Sequence, residues 1–135
     1  MAMNIEKLEG IGPKYADALR AVGIQTVEDL LNDGGNRKGR IELVKRTGLS
    51  EAHILKCVNM ADLFRINGVA SQYAELLECA GVDTVKELKH RNAVNLANTM
   101  AQVNGEKNLV RRTPSAKVVQ DWISQAGKLP PKVTY

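Results

Sequence analysis

The chain has 135 residues, 44% of them hydrophobic and 25% charged, with 19 Lys+Arg against 15 Asp+Glu for a net charge of +4. That length builds one ordinary domain or two small modules, and the composition excludes a disordered chain and a fibrous repeat. The only aromatic residues are Tyr15, Phe64, Tyr73, Trp122 and Tyr135, too few for a β-sandwich or an aromatic base-stacking platform, so Leu, Ala and Val must build a helical core.

The segment before residue 9 has no signal-peptide core, and no apolar run approaches the length that crosses a bilayer, so a soluble, cytoplasmic protein without membrane contact is expected. Pro13 opens a run in which Tyr15, Ala18, Leu19 and Val22 share one helical face, and Gly23 ends it. Thr26 begins a second helix, with Asp29 three positions on as in a capping box. Gly34, Gly35 and Gly39 read as a mobile loop carrying Arg37, Lys38 and Arg40. Residues 39–47 read as a helix, and Ser50 opens the longest one, reaching about residue 65 with Ile54, Leu55, Val58, Ala61, Leu63 and Phe64 as its apolar residues.

The same grammar then recurs. Ser71 opens a run with Tyr73, Leu76, Leu77 and Ala80 on one face, Gly81 ends it, and Thr84 with Glu87 repeats the capping pattern. Residues 92–103 and 115–126 complete the helices, and no segment reads as a strand. Aligned at a shift of 58, residues 8–30 and 66–88 match without a gap. Eight of the 23 pairs are identical: Gly10/Gly68, Tyr15/Tyr73, Ala16/Ala74, Leu19/Leu77, Gly23/Gly81, Thr26/Thr84, Val27/Val85 and Leu30/Leu88. Residues 50–58 match 114–122 at a shift of 64, which places six extra residues of the second copy between 92 and 105. The chain is therefore one unit written twice. The expected architecture is a single all-α domain, with repeat one at 1–62 and repeat two at 63–135. The two close about a pseudo-twofold, and the C-terminal helix, Trp122 inward, packs beside the first hairpin.

Cys57 and Cys79 stand alone without a C-x-x-C spacing and read as reduced, buried thiols; His53 and His90 are isolated, so no zinc set forms. Neither a Ser-His-Asp nor a Cys-His set emerges, so the expectation is a protein that is not an enzyme and needs no cofactor.

The stretch Leu8-Glu9-Gly10-Ile11-Gly12-Pro13-Lys14-Tyr15-Ala16 carries the chemistry. Two glycines let the backbone turn tightly, so amides and the positive end of the next helix point outward together, and Lys14 adds a cation. A phosphate fits such a site without any base being read. These residues resemble the helix-hairpin-helix family, and the two copies resemble the tandem arrangement of non-specific DNA-binding domains in repair and replication proteins. The full length, including the ending Leu129-Pro130-Pro131-Lys132-Val133-Thr134-Tyr135, looks like a bacterial family of two-repeat helix-hairpin-helix proteins with a fold expectation and no established activity. The resemblance implies phosphate contacts at Gly10, Ile11, Gly12 and Lys14.

The second copy, Gly68, Val69 and Ala70, departs from the pattern. Ala70 replaces Gly12, Ser71 replaces Pro13 and Gln72 replaces Lys14, so this hairpin is a weaker phosphate site or a structural partner. Arg37, Lys38, Arg40, Arg111 and Arg112 complete the candidate set, the last two read as equivalent to Lys45-Arg46 at a helix end. Charge and motif do not coincide: residues 1–62 carry nine of each sign, whereas residues 63–135 carry ten basic and six acidic. The expected partner is a nucleic-acid backbone, DNA ahead of RNA, bound by a monomer. The alternative is a protein–protein adaptor whose hairpins are structural.

Overall fold

The computed structural model describes residues 4–8 and 12–135. Among them the chain is helical, with no strand beyond an isolated bridge between Asn4 and Thr26. A 3₁₀ turn at Ile5–Lys7 leads into α1 (Gly12–Ala21), α2 (Val27–Gly34), α3 (Arg37–Thr47), α4 (Glu51–Leu63), α5 (Ser71–Cys79), α6 (Val85–Leu88), α7 (Ala93–Lys107) and α8 (Ala116–Lys128). No helix is long and apolar enough to cross a membrane among the described residues.

The chain divides into two compact units. The first comprises residues 1–62 together with Lys132–Tyr135, and the second comprises Leu63–Pro131. The main division therefore falls at the boundary between the two sequence repeats, and the last four residues return to the first unit.

In the first unit α1 packs on the 3₁₀ turn and on α3, and α2 packs on α3. Ile5, Leu19, Ile24, Leu30, Leu43, Ile54 and Val58 form its interior. The capping box at α2 is complete: the Thr26 hydroxyl accepts the Asp29 amide at 3.0 Å, and the Asp29 carboxylate accepts the amides of Gln25 and Thr26 at 3.2 Å. The last four residues are sewn in, with the Thr134 amide donating to the Gly35 carbonyl at 2.8 Å and Val133 buried.

In the second unit α7 packs on α5 and α8, and α8 packs on α6. Within this unit α8 buries its apolar face of Val119, Trp122 and Ala126. Trp122 does turn inward, meeting Tyr73 edge-on at 5.5 Å.

The two hairpins agree bond for bond. Gly23 and Gly81 both hold positive φ, +92° and +95°. The Ile24 and Val82 amides reach back to the Leu19 and Leu77 carbonyls at 3.0 and 2.9 Å. Thr84 accepts the Glu87 amide as Thr26 accepts that of Asp29, but the Glu87 carboxylate caps Asp83, one residue earlier than the reciprocal partner of a box.

Beyond the hairpins the units diverge. Helix α2 has 8 residues and α6 only 4, whereas α3 has 11 and α7 has 15. The extra chain of the second copy thus extends past the expected 92–105, into the end of α7 and the connection after it. Cys57 is buried as expected, but Cys79 is exposed at the end of α5, and neither is in a disulfide.

Candidate nucleic-acid interface

Gly10 and Ile11 lie outside the described residues. Gly12 opens α1 at φ +70°, exposed, with nothing within 4 Å of where a Cβ would stand. That backbone conformation favours glycine. Pro13 and Lys14 come next, both exposed, and the first turn of α1 contains no acid.

The second hairpin holds its positive φ at Gly68, +97°, the position equivalent to Gly10. Ala70, which replaces Gly12, is extended at φ −95° and caps α5 without a side-chain hydrogen bond. Val69 between them is buried and anchors the turn. A residue with a Cβ has thus moved the second turn into ordinary conformational space at the position where the first uses glycine.

Capping chemistry separates α5 from the other described helix starts. Thr26, Asn36, Ser50, Thr84, Asn92 and Ser115 each turn a side-chain oxygen onto an amide of the helix they precede. At α5 the cap is Ala70, whose side chain makes no such bond, so the helix start after the Gly68 turn has a cap that brings no acceptor of its own.

The basic residues sort into two kinds. Arg37 and Lys38 are exposed in the first turn of α3, which contains no acid. Cations there oppose the helix dipole, an arrangement that an incoming anion relieves. Arg111 and Arg112 are also exposed, but they lie in the α7–α8 connection. They are therefore not equivalent to Lys45 and Arg46, which occupy the last turn of α3.

Arg40 is of the other kind. Only 2% exposed, its guanidinium donates to the carbonyls of Gly34 (2.9 Å), Gly35 (3.0 Å) and Thr134 (2.6 Å), and it lies 5.9 Å from the Tyr135 ring centroid. Burial pushes its pKa below the usual arginine value. Arg40 ties the unit together from inside and leaves the set of surface cations. Arg20 and Arg46 are also committed, Arg20 to Glu6 at 2.6 Å and Arg46 to the Val22 carbonyl at 2.9 Å, which braces the first hairpin turn.

The glycines around Arg40 are not a mobile loop. A Cβ on Gly34 would stand 2.7 Å from a Val58 methyl, one on Gly35 would stand 2.5 Å from the Lys132 carbonyl oxygen, and one on Gly39 would run into the Asp33 carbonyl. They are small because backbone and core press against them. Nothing in the local pattern distinguishes these packing glycines from flexible ones: Gly34 meets α4, Gly35 meets residue 132, and Gly39 meets Asp33 across the α2–α3 turn.

Among the described residues no three His, Cys, Asp or Glu gather in a way that could hold a metal ion. A family model described as a domain of unknown function (DUF4332) matches residues 9–129. No curated protein and no solved structure matches the chain.

Proposed function

The chain belongs to the DUF4332 family, whose description assigns no activity, and on the strength of its own surface we propose that it binds nucleic acid through backbone phosphates without reading sequence. DNA comes ahead of RNA in this reading, and the two repeats act as helix-hairpin-helix units. The carrying observation is at two helix starts: α1 opens on positive-φ Gly12 and α5 follows positive-φ Gly68, neither has an acid in its first turn, and the α5 cap, Ala70, has no side-chain acceptor. Lys14 beside Gly12, and Arg37 and Lys38 at α3, add exposed cations to the first unit. The second unit offers Gly68 and exposed Arg111 and Arg112, without a cation at the position equivalent to Lys14. The first hairpin is therefore the stronger phosphate site.

Titration with duplex and single-stranded DNA across a salt series tests this. Affinity should fall steeply as salt rises, because each neutralised phosphate releases counterions. Lys14→Glu should abolish most of the binding while leaving the circular dichroism spectrum unchanged, and Gly12→Ala should weaken it. No binding at about 50 mM salt would overturn the reading in favour of a protein–protein adaptor.

A further inference from the structure

A surface cleft of about 460 Å³ opens in the second unit, between the turn at Asn67 and Gly68 and the start of α8. That volume is in the range of small-ligand sites. Trp122 lines it, 2% exposed and the only tryptophan in the chain. Among the described residues its indole N–H meets no hydrogen-bond acceptor, and its ring meets the Tyr73 ring edge-on. The indole nitrogen is 3.2 Å from where a Cβ on Gly68 would stand, so the missing side chain of Gly68 keeps this donor uncovered. The ring is thus held by the interior while its N–H stays open to an acceptor in the cleft.

The rest of the cleft narrows what that partner can be. Arg112 is on its rim with an exposed guanidinium, and the segment is pinned by the Tyr73 hydroxyl, which donates to the Arg112 carbonyl at 3.0 Å. Arg112 favours an anion, beside a first turn of α8 that carries no acid and whose Val118 amide is already taken by Ser115. The Tyr73 and Trp122 rings and Val118 give an apolar wall for a flat group. Asp121 adds one carboxylate, which accepts the Gln125 amide at 2.9 Å and has capacity for a second donor. One anion-favouring end, one apolar wall, one donor and one acceptor match a phosphorylated nucleoside, whose hydroxyl or amino groups satisfy Asp121.

We infer that this cleft holds a single nucleotide, phosphate toward Arg112 and the start of α8, with the nucleoside against Trp122 and Asp121. The nucleotide comes free or as an unpaired unit of a strand; the strand form rests on the nucleic-acid reading above, and the free form does not.

Trp122 emission from the full chain reads the cleft directly. The probes are adenosine 5′-monophosphate, inorganic phosphate, a short single-stranded oligothymidylate and a blunt DNA duplex, with calorimetry alongside. The monophosphate should change the emission and inorganic phosphate should not. Arg112→Ala should weaken monophosphate binding about tenfold, as for one charge-assisted hydrogen bond, and Asp121→Leu should weaken it too, with the circular dichroism of both unchanged. A response to the oligothymidylate but not to the blunt duplex assigns the cleft to an unpaired strand; a response to the monophosphate alone assigns it to a free nucleotide.

Silence toward the monophosphate and the oligothymidylate in both measurements overturns the inference. So does an equal response to inorganic phosphate, or an affinity within twofold after Arg112→Ala. Duplex binding lost in Lys14→Glu with a silent cleft leaves the phosphate-backbone reading standing and removes only the cleft; silence toward every probe removes both.

Discussion

Replacing Arg40 by methionine isolates the interior tie of the first unit. Methionine keeps much of the stem volume but leaves the Gly34, Gly35 and Thr134 carbonyls without the donor they now share. A hydrogen bond to a charged group contributes about 1.5–3 kcal/mol. Three of them would exceed the net effect, because removing the guanidinium also relieves the cost of keeping a charge out of water. The net loss is about 3 kcal/mol, and with about 4–8 °C per kcal/mol for a unit of this size, the melting temperature should drop by about 15 °C. Arg40→Lys keeps the charge but cannot span three carbonyls with one ammonium, so it should fall between the two. Exposed Arg37→Ala should stay within about 0.5 kcal/mol of the parent. Thermal melts and urea titrations monitored by far-UV circular dichroism measure all three. An Arg40→Met protein that melts with the parent but loses nucleic-acid affinity would refute the reasoning and return Arg40 to the binding surface.

Gly39→Ala should cost about 3 kcal/mol, because the added methyl meets the Asp33 carbonyl and crowds the Asn36 oxygen that caps α3; an unchanged urea midpoint would contradict this. Thr26→Ala should cost about 1 kcal/mol through loss of the capping box, read in the same titration. His53 is stacked on Tyr15 at 3.9 Å, and its Nε2 is buried without a partner. Burial first, and Lys56 second, push its pKa below the ordinary 6.5. The unfolded chain therefore takes up a proton near pH 6.5 before the folded chain does, so stability is full above that pH and declines as pH falls through it toward the lowered folded value. Urea midpoints across that window should show the decline in the parent and a flatter profile in His53→Gln.

Helix starts were legible because they are local: Thr26 with Asp29, Ser50, Thr84 and Ser115 each accept an amide three residues on, although at Thr84 the Glu87 carboxylate turns to Asp83 instead of closing the box. The hairpin turns were legible for the same reason, through Gly23 and Gly81. Arg40 was misread because its burial is decided by Thr134, 94 positions away, and a basic cluster beside three glycines looks the same whether it faces water or a returning chain end. The equivalence assigned to Arg111-Arg112 and Lys45-Arg46 failed because the α7–α8 connection, residues 108–115, is longer than its counterpart at 48–50, so the pair falls outside the helix that should end with it. The cleft at Trp122 could not be read from spacing, since it joins a turn at Gly68 to a helix start beyond residue 112.

The return of Lys132–Tyr135 to the first unit has a consequence for how the protein is made. A ribosome releases Arg40 long before Thr134, on the order of ten seconds earlier at ordinary elongation rates. Through that interval the nascent first unit must hold a buried guanidinium with one of its three carbonyl acceptors still unsynthesised. The second unit needs no residue beyond Pro131, so most of the first unit is translated first while its interior tie closes only with the last residues of the two.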